Sequence, residues 1–431
     1  MSAQPTRWTA TLSGAVRQAL RLPGYPLLCA AAAGGLLGAA PHTHADNAFP
    51  AEFDLSQLLD ANGGDGSEGV VIETIPNANA GLGAAAGGGD VNGDDVDDLI
   101  LGAAGSSFSA YNGGQAFVLF GSRDPLPAEV ELKALLTAFG GDGSEGMVLN
   151  STYGSYYGSQ NVGAGVGNVG DVNGDGIGDF LVGAPVRVFR GGSPGEGYLI
   201  YGTADGFPAE IAVPFQDVLP TVASTRINAI GEGRFGETVS SAGDVNGDGI
   251  VDLVAGAPSA SQYYSQVDRS GTTLVLFGGD QNFPSAFSES DVINADGAIG
   301  AVFRGIDWAG YDGDESGTDV AGDGDINGDG LDDIVIGAPY ADRGDASRAG
   351  EAYIVFGRRQ GPVGPGPFDG EETLANLLPE NGGDGSRGVV LSGTFANEKT
   401  GRRVSIIGDV NADGFDDIAI EFISSADSPP V

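Results

Sequence analysis

Five loops in this chain carry oxygen donors on alternate residues, an arrangement that suits a hard divalent cation. The clearest copy is Asp244-Val245-Asn246-Gly247-Asp248-Gly249-Ile250-Val251-Asp252. Side-chain oxygens stand at positions 1, 3, 5 and 9, a backbone carbonyl is expected at 7, and glycine at 6 permits a sharp turn. The predicted ligand sets are Asp90, Asn92, Asp94, Val96 and Asp98; Asp171, Asn173, Asp175, Ile177 and Asp179; Asp244, Asn246, Asp248, Ile250 and Asp252; Asp325, Asn327, Asp329, Leu331 and Asp333; and Asp409, Asn411, Asp413, Phe415 and Asp417. Position 6 is Asp95 in the first copy, a residue type that tolerates left-handed backbone better than most.

Calcium fits these sets better than magnesium, which prefers rigid octahedral geometry and retains its waters. An EF-hand is excluded, because its bidentate Glu at position 12 is replaced by Leu101, Val182, Ala255, Ile336 or Ile420 as the chain enters a strand. The plainer alternative is a set of Asx hairpin turns without metal. Five complete ligand sets favour about five calcium ions, in a structural role.

The loops start at 90, 171, 244, 325 and 409, so their spacings of 81, 73, 81 and 84 residues mark a repeat architecture. In the third unit Phe235–Ser241 alternates as a strand, the loop makes a hairpin, and Leu253–Ala255 is a short apolar run stopped by Gly256-Ala257-Pro258. Thr272–Gly278 is a third strand, echoed by Phe117–Gly121, Tyr198–Gly202 and Tyr353–Gly357. A longer connection, with helical turns expected at Val130–Thr137 and Glu372–Leu378, leads to a fourth strand such as Gly146–Leu149 or Gly388–Leu391. Four strands per unit make a propeller blade, an arrangement that leaves few edges exposed.

The order Phe-Gly, Asp-rich loop, Gly-Ala-Pro resembles the FG-GAP repeats of the integrin α-chain β-propeller and its secreted bacterial relatives. It extends over residues 62–422. Only Phe235-Gly236 is literal; Val162-Gly163, Ser316-Gly317, Thr400-Gly401 and, shifted by one, Leu82-Gly83 are its equivalents. Gly-Ala-Pro starts at Gly183, Gly256 and Gly337, becomes Gly102-Ala103-Ala104, and is absent after Ile420. The expected fold is an all-β propeller of four-stranded FG-GAP blades. Five units are visible and the last is incomplete. Gly69–Ile75 reads as a fourth strand without predecessors, and Arg402–Ile407 with Asp417–Phe422 as first and second strands without successors. Together they suggest a fifth blade whose third strand is missing; a truncated seven-bladed propeller is the other reading.

Residues 1–45 read as a secretion signal. Arg7, Arg17 and Arg21 precede an apolar run from Leu27 to Ala40, and Thr43-His44-Ala45 offers a cleavage site. An uncleaved anchor is the alternative, although the run is short for a membrane span. Removing this segment takes the single cysteine, Cys29, and both histidines, His42 and His44. Residues 46–431, read as one propeller domain, then lack Ser-His-Asp and Cys-His machinery, thiolate metal sites and disulfides. They hold 16 basic against 59 acidic residues, a net charge of −43. Nucleic acid and anionic membranes are poor partners for such a chain, and bound cations would relieve its self-repulsion.

Alternating strand direction puts the metal hairpins on one face of the blades. The opposite face carries the second-to-third and fourth-to-first loops, where Tyr156, Tyr157, Tyr263, Tyr264, Trp308, Tyr311 and Tyr340 gather. They are candidates for a surface that binds an extracellular protein or glycan, or rings that pack loops together. The resemblance implies a secreted or cell-surface adhesion module, with the periplasm as another location, that is not an enzyme. The alternative is an extracellular carbohydrate hydrolase using paired carboxylates, of which no pair stands out. Asp312–Ser316 reads as a solvated turn, and Arg343-Gly344-Asp345 as a chance tripeptide.

Overall fold

The computed structural model describes residues 27–29, 55–63, 65, 69–75, 81–155, 158–185, 187–188, 195–214, 217, 219, 221–228, 233–258, 269–306, 313–359 and 368–423. The chain divides into two compact units, residues 1–76 with 122–134, and residues 77–121 with 135–431.

The larger unit is a run of antiparallel β blades. Blade 1 comprises Ala84–Gly89, Asp98–Ala103, Gln115–Leu119 and Gly146–Ser151, hydrogen-bonded in that order. Blade 2 comprises Val166–Gly170, Asp179–Ala184, Glu196–Ile200 and Ser224–Asn228. Blade 3 comprises Thr238–Gly243, Asp252–Ala257, Thr272–Leu276 and Gly300–Arg304. Blade 4 comprises Asp319–Ala321, Ile334–Ala338, Glu351–Val355 and Gly388–Ser392. Val404–Ile406 and Ile418–Ile420 pair as the first two strands of a fifth. Each strand call from the repeat pattern is therefore met by a strand within a few residues.

The core lies between blades rather than within them. Val118, Met147 and Leu149 of blade 1 pack with Phe180, Val182 and Tyr198 of blade 2 in one buried cluster, and blades 2 with 3 and 3 with 4 repeat the arrangement. Strands such as Asp179–Ala184 are buried on both faces, which explains why they read as unbroken apolar runs. The cluster between blade 4 and the fifth fragment is smaller, built on Ala321, Val335, Ala352, Ile354 and Val404. Ile407, Val410, Phe415 and Phe422 on that fragment are exposed.

The glycines of the repeat motif have a steric cause. The N–H of Gly236 bonds the carbonyl of Gly256 at 3.1 Å within unit three, and its own carbonyl lies against Gly183 of blade 2 so closely that a Cβ there would overlap it. Gly102, Gly256 and Gly337 meet Gly163, Gly317 and Gly401 in the same way. The motif thus marks where one blade's second strand touches the next blade's entry. Gly83 takes this role in unit one, bonding Gly102 at 2.9 Å, and Glu421 stands where the fifth unit lacks its Gly-Ala-Pro.

The four-stranded expectation needs one correction. A short segment of each long third-to-fourth connection runs back and adds in parallel to the outer strand of the preceding blade. Glu210–Val213 pairs with Gly146–Ser151, Ala286–Ser288 with Ser224–Asn228, and Glu371–Thr373 with Gly300–Arg304. These straps make blades 1 to 3 five-stranded. They are followed by helical turns, Glu289–Asn294 and Leu374–Leu377, in the connections where such turns were expected or close by.

The smaller unit has the same device. Val70–Glu73 takes a parallel strap from Glu129–Glu131 and an antiparallel strand from Leu27–Cys29. The register places Val71 opposite Leu28 as Val148 is opposite Phe117 in blade 1. Leu27–Cys29, read from sequence as part of a signal, therefore occupies the third-strand place that the sequence reading left empty. Ile418–Ile420 pairs with Val404–Ile406.

Candidate metal centres and the opposite loops

The first three Asp-rich loops begin at a bulge in the first strand, seen as a register shift at Gly87/Gly89, Asn168/Gly170 and Ser241/Gly243. The loop then coils on its own carboxylates. In the third loop Asp244 Oδ1 accepts the N–H groups of Gly247 and Asp248 at 2.7 and 3.0 Å, and Oδ2 that of Gly249 at 2.9 Å. Asn246 Oδ1 accepts from Asp248, and Asp248 Oδ1 from Ile250. The same Asx pattern recurs at Asp90, Asp171, Asp325 and Asp409. Left-handed backbone falls at positions 4 and 6, which glycine fills except at Asp95, with φ 62°, and Ala412, with φ 61°; such non-glycine residues store about 1–3 kcal/mol of strain each.

Position 9 is the anchor. Asp98, Asp179, Asp252 and Asp333 are buried. One oxygen of each accepts the N–H of position 2, Val91, Val172, Val245 or Ile326. The other accepts the N–H of the glycine that ends the third strand, Gly121, Gly202, Gly278 or Gly357, at 2.8–2.9 Å. A Cβ on any of those glycines would overlap the position-8 carbonyl. These glycines anchor the loops, and the sequence reading treated them only as strand ends, although the repeated aromatic-Gly pair was their signal. In the fifth loop Asn411 Nδ2 donates to Asp417, as Asn246 Nδ2 does to Asp252 in the third, and among the described residues no third strand follows it.

Burial pushes the position-9 carboxyls up, to about 8 at Asp252, about 7 at Asp179 and about 6 at Asp333, with neighbouring loop aspartates adding to the effect. Asp98 rises for the same reason. Among the described residues these four accept N–H groups and meet no basic side chain. The crowding is collective because the loops touch. Gly178 donates to the Asp90 carbonyl, Asp332 to that of Asp244, and Asp416 to that of Asp325, at 2.8–3.3 Å. An oxygen-only donor set of this type is the kind that takes a hard divalent cation. Among the described residues no three acidic, histidine or cysteine side chains already converge on a common point; the loop carboxylates are turned onto main-chain N–H groups.

At the other end of the blades, Gly114, Gly271 and Gly350 bridge in parallel to Val162, Ser316 and Thr400 of the following unit. Here the sequence-predicted surface is only partly on view: Tyr156, Tyr157, Tyr263, Tyr264, Trp308 and Tyr311 lie outside the described residues. Tyr340 is half-buried, with Lys399 Nζ 4.8 Å and Arg348 Cζ 5.8 Å from its ring centroid. That ring holds two loops together, which supports its packing role. Tyr111 is 54% exposed. Arg343, Gly344 and Asp345 form an exposed turn closed by reciprocal Arg343–Ala346 bonds. Asp314 and Ser316 are buried, so the described part of the turn expected to be solvated is not.

A family model described as "FG-GAP repeat" matches residues 235–276 and 316–355, the third and fourth units. Integrin alpha pat-2 of Caenorhabditis briggsae is 26% identical over 315 residues, covering 70% of this chain and 20% of that protein. Integrin alpha-8 of Gallus gallus is 29% identical over 189 residues, 43% of this chain and 16% of its own length. Phosphatidylinositol-glycan-specific phospholipase D of Homo sapiens is 33% identical over 176 residues, 40% of this chain and 18% of that enzyme. The chain spans a fifth or less of these relatives. Motif, blade topology and sequence match converge on one statement: the chain carries FG-GAP repeats on a β-propeller fold similar to that of integrin α chains.

Proposed function

We propose that this chain is a calcium-binding, extracellular β-propeller that recognises a protein or glycan in adhesion, and that it is not itself an enzyme. The observation that carries this reading is the division of labour between the two ends of the blades. At one end the hydrogen-bonded, carboxylate-rich loops are shaped for cations and are fixed to the strands. At the other end lie the second-to-third and fourth-to-first loops, which carry the candidate recognition surface. Similarity to integrin α chains over 70% of the residues supports the adhesion role. The similarity to the phospholipase D concerns 18% of that enzyme, and nothing in it requires chemistry here.

Within this reading residues 1–45 direct export, and cleavage there removes Leu27–Cys29 from its pairing with Val70–Ile72. N-terminal sequencing of protein recovered from the culture medium or periplasm tests that step. The ligand reading is tested by binding to arrays of glycans and matrix proteins, with calcium and with excess EDTA. Saturable, calcium-dependent binding is expected. Release of reducing sugar that one carboxylate substitution abolishes would replace this reading with a hydrolase.

A further inference from the structure

Blade 1 differs in composition from its neighbours at the end opposite the Asp-rich hairpins. Its second-to-third loop, residues 104–114, and its fourth-to-first loop, residues 152–161, contain no Asp, Glu, Lys, Arg or His, and the charge-free stretches extend over residues 99–122 and 146–170. The other blades are charged there. Arg187 and Arg190 stand in the corresponding second-to-third loop of blade 2, Asp268 and Arg269 in that of blade 3, and Arg343 and Asp345 in that of blade 4. The blade 1 loops are made mainly of Ser, Asn, Gly and aromatic residues, the composition of surfaces that combine rigid rings with adaptable hydrogen bonding.

The two loops form one fixed platform. Ser107 Oγ accepts the Asn112 N–H at 2.9 Å, and Gly113 and Gly114 donate to the Ala110 and Ser106 carbonyls at 2.9 and 3.0 Å, so residues 106–114 close on themselves. Asn112 takes left-handed backbone there, with φ 49°, which asparagine tolerates. The loop is then tied to its neighbour. Ser109 Oγ donates to the Ser151 carbonyl at 2.9 Å, and the main chains lie so close that a Cβ on Gly154 would overlap that of Tyr111. Beneath them Ser151 Oγ donates to the fully buried Gln160 at 2.8 Å. On this frame Tyr111 is 54% and Phe108 40% exposed. Rings that served to pack loops together would be covered, as Tyr340 is.

We propose that the blade 1 loops bind a neutral oligosaccharide, with Phe108 and Tyr111 stacking on its sugar rings and Ser107 and Asn112 beside them meeting its hydroxyl groups. The inference rests on the recognition reading above and narrows its ligand to an uncharged glycan at one blade. Charge selects the class. The strongly acidic chain repels an anionic ligand, and a cationic one finds no carboxylate in these loops. The centre of a protein interface is rich in arginine and methionine as well as aromatic rings, and the two loops hold neither. A neutral sugar matches both halves of the platform: its C–H face packs on an aromatic ring, and its hydroxyls exchange hydrogen bonds with uncharged side chains. Because the loops are already fixed, little ordering is required on binding.

The test uses the full chain with cellohexaose, xylohexaose, mannohexaose and, as the charged control, hexagalacturonate, in microscale thermophoresis. At least one neutral hexasaccharide should bind saturably, and hexagalacturonate at least about tenfold more weakly. Tyr111→Ala and Phe108→Ala should each weaken the neutral sugar about three- to tenfold, the worth of one stacked ring, whereas Tyr111→Phe keeps the ring and should stay within about twofold. Phe139→Ala removes an exposed ring from the third-to-fourth connection and should leave binding unchanged. Should a variant melt abnormally, hydroxyl-radical footprinting of the unaltered chain decides: the neutral sugar should protect Phe108 and Tyr111 and not Phe139. Binding that leaves those two rings unprotected, preference for hexagalacturonate, or no binding of any neutral hexasaccharide overturns the inference. Matrix proteins that bind where the sugars do not would leave the adhesion reading standing with a protein ligand; if they fail as well, that reading falls too.

Discussion

Asp252 Oδ1 accepts the N–H of Gly278 at 2.9 Å, tying the third Asp-rich hairpin to the end of a strand 26 residues further on. Through Oδ2 the same carboxylate holds Val245 at 3.0 Å. One side chain therefore sets the loop's shape and its place on the blade at once.

Replacing Gly278 by alanine should break both functions. The new Cβ would overlap the Val251 carbonyl, and overpacking of this kind costs about 1–3 kcal/mol. Chemical denaturation should show that loss, and calorimetric titration should show one calcium site weakened. Stability within about 0.5 kcal/mol of the parent would mean the blade shifts freely there, contrary to the packing described.

Calcium removal should lower the melting temperature strongly. A site filled at one hundred times its dissociation constant adds about 2.7 kcal/mol, and several sites act together. Differential scanning calorimetry in calcium and in excess EDTA measures the difference. Asp244→Ala should remove the part due to one loop; coincident melts with and without chelator would exclude bound metal.

Acidification should stabilise the metal-free protein. Asp333, Asp179 and Asp252 titrate at about 6, 7 and 8 in the folded chain, against an ordinary value of about 3.9 when unfolded. The folded state therefore holds protons that the unfolded state releases. That contribution is complete below about pH 4 and is lost as pH rises through about 6 to 8. Melting temperatures in EDTA should fall from pH 5 to pH 9, and saturating calcium should flatten the trend because the cation replaces the protons. A rise over this range without metal would contradict the burial of these carboxyls.

Asp319 should matter most at the chain's far end. Its oxygens accept the Val404 N–H at 3.0 Å and the Thr238 hydroxyl at 3.2 Å, with Arg403 at 3.6 Å, and burial raises its pKa. Asp319→Ala leaves Val404 without its acceptor, a loss of about 1–3 kcal/mol. Limited trypsin digestion should then cut at Arg402 and Arg403 faster than in the parent, while cleavage at Arg226 stays unchanged.

What could be read from sequence was whatever one repeat encodes by itself. The Asp-rich hairpin turns, the apolar second strands and the four-strand order all follow from residues a few positions apart, and each is found in place. The straps escaped because Glu210–Val213 and Glu371–Thr373 are short, lack strict alternation and find their partners in another repeat, so local pattern gives them no signal. Leu27–Cys29 escaped for the opposite reason: an apolar run after arginines is the composition of a signal, and a strand of three residues inside it has no separate mark. The glycines after the third strands were visible, but the hydrogen bond that fixes them comes from an aspartate 23 or 24 residues earlier in blades 1, 2 and 4.

The carbonyl links from loop to loop, Asp90 to Gly178, Asp244 to Asp332 and Asp325 to Asp416, have a consequence for how the larger unit comes apart. Adjacent blades of the larger unit share an interface, so its cooperativity is that of a one-dimensional array. The interface between blade 4 and the fragment at 404–420 has the smallest buried cluster described in the larger unit. Unfolding should therefore run inward from the C-terminal fragment like a zipper, with amide exchange fastest at Ile418–Ile420 and slowest in the second and third strands of blades 2 and 3.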